Sequence, residues 1–251
     1  MERATRSAGD RDGLLAAAMR AVPVPAGAEV AVAVLDTVSG ESASYGDGGF
    51  DTASIVKVDI LAALLLQAQD EGRRLTATEE SCATAMIERS DNDAASVLWR
   101  TIGRAEGLDA ANERFGLTRT EGGEGTLWGL TQTTAVDQVT LLRQVFGPGS
   151  ELDGVSRTYL CGLMGRVVQG QRWGVSAAGD GCGWALKNGW LPRAATGLWV
   201  VNSIGRVTAG GRGCLVAALS KGNPTWAAGI ALVEAAAVAA VSLFGVQDAA
   251  G

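Results

Sequence analysis

Residues 54–69 read SIVKVDILAALLLQAQ and carry apolar side chains at nearly every position. A helix that is apolar all round is stable only when it is buried on most of its sides. Lys57 is the only cationic residue of the stretch and follows Ser54 by three positions, which places both side chains on one face of a helix. The stretch therefore predicts a central, buried helix that presents Ser54 beside Lys57.

Strand patterns lie on both sides of this helix. The Val-rich run EVAVAVL at 29–35 and the run SASYG at 42–46 predict two antiparallel strands joined by a turn at Ser39-Gly40. Three further strands are predicted at 183–190, 197–204 and 213–220. Helical spacing of apolar residues predicts helices at 9–21, 79–88, 92–103, 107–115, 133–146 and 153–168, and a closing helix from near Pro224.

This order of elements predicts a mixed α/β chain of the α+β type. One antiparallel sheet, built from both ends of the chain, is flanked by terminal helices and carries an inserted helical lobe. We expect a single unit over 1–251, with a sheet lobe made of 1–53 and 169–251 and a helical lobe made of 54–168. Residues 227–246 are apolar enough for a membrane span, but Glu234 lies inside the stretch and no basic flank follows, so a docked terminal helix is predicted.

The composition excludes several kinds of chemistry. Histidine is absent, so the chain holds no Ser-His-Asp triad, no Cys-His dyad and no histidine metal site. The net charge of −6 argues against a nucleic-acid partner, which would need a clustered positive surface. Lysine occurs only at positions 57, 187 and 221, so chemistry that depends on lysine has few candidates.

The cysteines do not indicate a metal site. Cys82, Cys161, Cys182 and Cys214 lack a C-x-x-C pair and zinc-finger spacing. Buried free thiols are predicted, and one disulfide between Cys182 and Cys214 stays open.

Three short motifs use two of the three lysines. They are Ser54-Ile55-Val56-Lys57 at the start of the buried helix, Ser90-Asp91-Asn92 at a helix junction, and Lys187-Asn188-Gly189 on a strand. A serine hydroxyl is a weak nucleophile until a base removes its proton, and without histidine that base is a lysine. Lys57 must then be neutral, and both burial and a second ammonium at Lys187 would lower its pKa.

These motifs, in this order, resemble the S-x-x-K, S-D-N and K-T-G motifs of class A β-lactamases and penicillin-binding proteins. The resemblance covers most of the chain and implies a β-lactamase-like fold. It implies catalytic roles for Ser54, Lys57, Ser90 and Lys187, and substrate-binding roles for Asn92, Asn188, Gly189 and Trp190.

By this resemblance, Ser90 stands between the two lysines and passes a proton to the leaving nitrogen, while Asn92 binds Lys57 and a substrate amide. A simpler interpretation, that Ser90 and Asp91 cap the helix that begins near Asp93, is compatible with the first.

The resemblance also assigns the third motif to substrate binding. Lys187 holds a substrate carboxylate, Gly189 lets the substrate approach, and backbone N–H groups of Ser54 and Trp190 form the oxyanion hole. The family has Thr or Ser where this chain has Asn188, so recognition of a carboxylate is expected to differ.

One family feature is incomplete. Class A enzymes hydrolyse the acyl-enzyme with the glutamate of an R-x-E-x-x-L-N loop, and here Glu121 matches that glutamate while Glu124 and Gly125 replace the Leu and the Asn. A glycine-rich surface loop with incidental carboxylates is the favoured interpretation. Acylation is then retained and deacylation is slow.

The sequence predicts a serine hydrolase of the class A type that acts through an acyl-Ser54 intermediate on a β-lactam or related amide. The alternatives are a peptidase or acyltransferase like the penicillin-binding proteins and a slowly deacylating β-lactam sensor. We expect a small-molecule β-lactam, peptide or amide substrate, no cofactor, no nucleic-acid or membrane partner, and a monomer. The N-terminus lacks the pattern of a signal peptide, which predicts a cytoplasmic protein, or a secreted one if a signal was removed.

Overall fold

The computed structural model describes residues 8–181 and 183–245. The helices are α1 (Ala8–Met19), α2 (Val56–Asp70), α3 (Ala77–Glu88), α4 (Asn92–Thr101), α5 (Arg104–Phe115), α6 (Ala135–Phe146), α7 (Gly154–Met164) and α8 (Trp226–Gly245). The strands are β1 (Glu29–Asp36), β2 (Ser42–Tyr45), β3 (Phe50–Asp51), β4 (Gln132–Thr133), β5 (Ala185–Pro192), β6 (Trp199–Ala209) and β7 (Arg212–Asn223).

The main sheet has the order β2-β1-β7-β6-β5, and all of its strand pairs are antiparallel. β1 therefore lies beside β7, although the two strands come from opposite ends of the chain. The predicted antiparallel sheet built from both termini is confirmed, and β5, which carries the third motif, is one of its edges.

Alternating residues of β7 separate two hydrophobic cores. Leu215, Ala217 and Leu219 face the core that includes α2, whereas Cys214, Val216 and Ala218 face the core under α1 and α8. Successive side chains of a strand point to opposite faces, so a fully apolar strand of this kind must be covered on both sides. The sheet is accordingly the middle layer between terminal helices and helical lobe.

The buried helix α2 lies as its sequence predicts. Twelve of its fifteen residues are buried, and Lys57 and Asp59 are the two charged residues among them. Neighbouring helices begin where side-chain oxygens cap them: Thr76 forms a capping box with Glu79, and Thr134 accepts a hydrogen bond from the Asp137 N–H. The Thr134 cap explains why α6 begins at Ala135 and not at residue 133, which belongs to β4.

The C-terminal helix α8 packs on the sheet. Residues 226–244 are long and apolar enough to cross a membrane, the one such helix in the ranges 8–181 and 183–245. Val233, Ala236, Ala237 and Ala240 of this helix are buried in the core that it shares with the sheet. Glu234 accepts a hydrogen bond from the Gly174 N–H, so the charge inside the apolar stretch has a partner.

The cysteines partly follow the prediction. Cys214 is a buried free thiol, and burial raises its pKa to about 11. Cys82 and Cys161 are free and only partly buried. Cys182, the other half of the disulfide left open by the sequence, lies outside the described residues.

Candidate active site

Ser54 lies at the junction between the sheet and the helical lobe. It sits in a short 3-10 turn, Ala53–Ile55, that leads directly into α2, and it is partly exposed. The preceding residue, Ala53, has φ 49°, a left-handed conformation that is strained for a residue with a Cβ. Asn202 holds this turn from β6 by donating from its amide to the carbonyls of Asp51 (2.8 Å) and Thr52 (3.0 Å).

Lys57 is fully buried one turn further along. Its ammonium donates to the Ser90 carbonyl (2.7 Å), to Ser90 Oγ (3.1 Å) and to Asn92 Oδ1 (2.7 Å). Burial lowers the pKa of Lys57 to about 7, against the opposing effect of the nearby Asp91 carboxylate. The Ser54 hydroxyl makes no hydrogen bond with any described residue. In this state Lys57 donates to three oxygens of Ser90 and Asn92 and not to Ser54.

Ser90 joins the two lysines. Lys187 Nζ donates to Ser90 Oγ at 2.9 Å and to the Asn188 carbonyl at 2.8 Å. Burial lowers the pKa of Lys187 well below its usual range, and the charge of Lys57 adds to the effect. Burial lowers the pKa of Lys57 as expected, but the repulsion expected from Lys187 lowers the pKa of Lys187 instead, through the charge of Lys57.

The backbone places Ser90 for this contact. Ser90 has φ 59°, and Asp91 is the N-cap of α4, accepting a hydrogen bond from the Ala94 N–H at 2.8 Å. Capping by Asp91 and bridging by Ser90 are therefore both present. Of the three non-glycine residues with positive φ in the described part of the chain, two lie at the first and second motifs.

The third motif packs through Gly189 against the turn that carries Ser54. A Cβ at this position would lie 2.7 Å from the Ser54 nitrogen and 2.8 Å from the Ile55 nitrogen. Only glycine fits such a close backbone approach without a shift. Trp190, the residue expected to supply an oxyanion N–H, follows directly in β5.

The sequence resemblance assigns Asn188 to substrate binding, but in the structure its side-chain amide is bonded to the backbone. Its amide donates to the carbonyls of Gln171 and Trp173, both at 2.9 Å, and the residue is 1% exposed. Both of its N–H groups are thus used to hold the segment 171–173 against β5.

The loop between α5 and α6 does not bring Glu121 to Lys57. Glu121 is exposed, and its backbone pairs with that of Gln132 at 3.0 and 2.9 Å. Trp128 lies beside the lysine instead, with its ring centroid 4.9 Å from Lys57 Nζ. Its indole N–H donates to Ser96 Oγ at 3.2 Å, which fixes the ring on α4.

Sequence reasoning did not place Trp128. A single tryptophan in a glycine-rich loop carries no positional signal, because its neighbour is set by how the loop folds over α4. Within the described residues, no group of three or more Cys, Asp or Glu side chains is placed to hold a metal ion.

Known structures share this architecture. The extended-spectrum β-lactamase TLA-1 superposes with a TM-score of 0.80 at 16% identity, covering 96% of this chain and 100% of that one. An acyl-enzyme complex of a PBP-A mutant with penicillin G gives 0.78 at 23% identity, with coverages of 92% and 96%. A class A β-lactamase from Mycobacterium abscessus gives 0.74 at 21% identity, with coverages of 94% and 100%.

The fold is therefore that of the class A β-lactamases and PBP-A. A family model for the beta-lactamase enzyme family matches residues 74–244, more than half of the chain. The chain belongs to this family. The part of the chain matched by the family model begins after the Ser54-x-x-Lys57 motif. A separate comparison with curated proteins finds no similar protein.

Proposed function

We propose that the protein is a serine hydrolase of the class A type that is acylated on Ser54 by a β-lactam or a related amide and releases the acyl group slowly. The single observation that carries the proposal is the chain of hydrogen bonds Lys57–Ser90–Lys187 beside Ser54. Family membership and the shared fold support the same class of reaction.

The chemistry follows from these groups. Neutral Lys57 accepts the Ser54 proton as Oγ attacks the carbonyl carbon, which requires Lys57 to exchange one of its present partners for Ser54. Ser90 Oγ accepts hydrogen bonds from both lysines, so its own hydrogen is free to pass to the leaving nitrogen as the C–N bond breaks, and the proton that Lys57 took from Ser54 replaces it on Ser90. The N–H groups of Ser54 and Trp190 would stabilise the oxyanion.

The slow second half of the reaction is inferred from Trp128. Hydrolysis of an ester on Ser54 needs a base that activates water, and a carboxylate near Lys57 would serve. An apolar indole occupies that side of Lys57, while the exposed Glu121 is engaged through its backbone elsewhere. This arrangement favours a stable acyl-enzyme, as in a penicillin-binding protein or a sensor, or one that passes its acyl group to another nucleophile.

Intact-protein mass over time after mixing with penicillin G tests the acylation. We expect an adduct of the full mass of the penicillin on the unmodified chain and none on Ser54→Ala. An adduct of equal yield on Ser54→Ala would show that another residue is the nucleophile.

The lifetime of the adduct tests the role of Trp128. Trp128→Glu places a carboxylate beside Lys57 and should shorten the lifetime by at least about tenfold, since a general base contributes that much or more. Trp128→Gln is the matched control without a charge. Equal shortening in both variants would mean that the indole only shields the ester from water.

A further inference from the structure

Three tryptophans meet next to the third motif. The ring centroids of Trp173 and Trp190 are 5.9 Å apart, those of Trp190 and Trp226 are 6.0 Å apart, and those of Trp173 and Trp226 are 6.2 Å apart. The rings are tilted or edge-to-face, the favourable geometries for aromatic pairs. We call Trp173, Trp190 and Trp226 the tryptophan cluster.

The cluster adjoins the nucleophile through β5. Gly189 packs on the backbone nitrogen of Ser54. The Cα of Trp190 lies about 3.8 Å from the Cα of Gly189, the usual spacing of consecutive residues. Side chains alternate along a strand, so Trp190 lies on the same face of β5 as Asn188, opposite to Lys187. The segment 171–173, which carries Trp173, nevertheless reaches around the edge of β5, because Gln171 donates to the carbonyl of Arg89, the neighbour of Ser90, at 3.1 Å while Asn188 holds the segment on the strand. The cluster therefore lies at the edge of β5 near Ser90.

The cluster is incompletely buried. Trp226 is 38% exposed and its two partners are partly exposed, whereas the core residue Trp99 is 1% exposed. A ring contributes most to folding when it is fully buried, so three adjoining tryptophans that keep a solvent-accessible surface indicate a binding surface.

Unpartnered polar atoms surround the same place. Trp173 Nε1, Gln171 Oε1 and Asn188 Oδ1 are buried and lack hydrogen-bond partners among the described residues. Such groups lower stability, and they cluster where a structure serves something other than its own stability.

The chemistry of this surface suits an uncharged group. Both N–H groups of Asn188 are bonded to the backbone, so this side chain has no donor to offer a substrate carboxylate. Indole faces next to it offer apolar, planar contact area.

We propose that the tryptophan cluster is a binding subsite for an aromatic group on the leaving portion of the substrate, which places aromatic amides and esters above small aliphatic ones. The leaving portion is assigned because Gln171, in the segment that carries Trp173, donates to the carbonyl of Arg89, the residue before Ser90, and Ser90 is the donor to the leaving atom. This inference rests on the proposed acylation of Ser54.

Two thioesters with the same acyl group separate the two proposals: S-benzyl and S-methyl thioesters of phenylacetylglycine. With either one, Ser54 Oγ bonds to the carbonyl carbon, the C–S bond breaks, and the thiol leaves with the proton from Ser54. The acyl-enzyme has the same mass in both cases, so intact-protein mass reports the two rates on one scale.

We expect the S-benzyl thioester to acylate the full chain at least about fivefold faster than the S-methyl thioester, allowing for the difference in reactivity of the two with free hydroxide. Trp226→Ala should reduce this preference to near one. Trp226→Leu, which keeps an apolar side chain at the start of α8, should reduce it in part. Trp184→Ala, a tryptophan outside the cluster, should keep it.

Equal rates for the two thioesters on the unmodified chain, with the adduct formed, would overturn the subsite and leave the acylation of Ser54 standing. The same holds if Trp226→Ala slows both thioesters equally, which is the effect of a structural residue. No adduct from either thioester would overturn both proposals.

Discussion

At the scale of single residues, Ser90 Oγ is where the two buried lysines meet. Lys57 and Lys187 approach this hydroxyl to 3.1 and 2.9 Å, and burial lowers the pKa of both amines. Two ammonium groups so close repel each other, so the pair favours the loss of one proton near neutral pH. That loss makes a base available without histidine.

The pKa of about 7 for Lys57 gives a prediction for the pH dependence of acylation. Below this pH Lys57 is an ammonium and cannot accept the Ser54 proton, so the acylation rate constant should fall about tenfold per pH unit and level off above pH 8. The measurement is the rate of adduct formation with penicillin G between pH 5 and pH 9.

Lys57→Arg should abolish acylation, because arginine stays protonated at every accessible pH. Lys221→Arg, at the lysine that pairs with Glu29, is the matched control and should keep the rate and its pH profile. A rate that is the same at pH 5 and pH 9 would exclude Lys57 as the base.

At the scale of elements, the edge strand β5 and the turn before α2 fit together through one glycine. The atoms nearest to a Cβ at Gly189 are backbone atoms of residues 52, 54 and 55, at 2.7 to 2.9 Å. Backbone cannot rotate away as a flexible side chain can. Any substitution must therefore push β5 away from Ser54.

Gly189→Ala should lower the acylation rate by about 100-fold, the cost of a displacement near 1 Å at a reacting centre. The free energy of unfolding should fall by only about 1 to 3 kcal/mol, the usual cost of overpacking a buried position, so the chain should still fold. Gly13→Ala is the control, since a Cβ at Gly13 in α1 meets nothing within 4 Å. An acylation rate within twofold of the unmodified chain would show that the strand yields without moving the site.

At the scale of the whole molecule, the central helix α2 carries a buried carboxyl group, that of Asp59. Asp59 is 1% exposed, and the amide nitrogen of Asn112, oriented to donate, lies 3.0 and 3.1 Å from its two oxygens. Burial, with the charges of Asp109 and Asp137 adding to it, raises the pKa of Asp59 from 3.8 to about 8, against the effect of Asn112.

This pKa predicts how stability changes with pH. Between about pH 4 and pH 8 the unfolded chain has lost the Asp59 proton while the folded chain keeps it, so the unfolded state binds fewer protons and stability falls as pH rises. Asp59→Asn removes this component. We expect it to be more stable than the unmodified chain at pH 8 by on the order of 1 to 3 kcal/mol, with the difference disappearing near pH 4.

Urea unfolding at pH 4, 6 and 8 measures the difference. Asp47→Asn, at an exposed carboxylate, is the matched control and should track the unmodified chain at all three values. A difference between Asp59→Asn and the unmodified chain that does not depend on pH would show that Asp59 is ionised in the folded state.

Local patterns were sufficient for the helices and for the five strands of the main sheet, but not for the short strands β3 and β4. An apolar run, a three-residue spacing and a capping side chain act between neighbours in sequence, so α2, the pairing of Ser54 with Lys57 on one face and the N-cap at Asp91 follow from the chain alone. The antiparallel sheet followed from the order of those elements.

The contacts that define the site depend on packing between distant segments. Ser90 lies 33 residues from Lys57 and 97 from Lys187, and no local pattern sets the distance between them. For the same reason the sequence could not show that Trp128 covers Lys57, that Asn188 uses its amide on the backbone, or that three tryptophans meet at the edge strand β5. Such contacts arise only when the sheet and the helical lobe close on each other, because side chains far apart in sequence share a neighbourhood only in the folded chain.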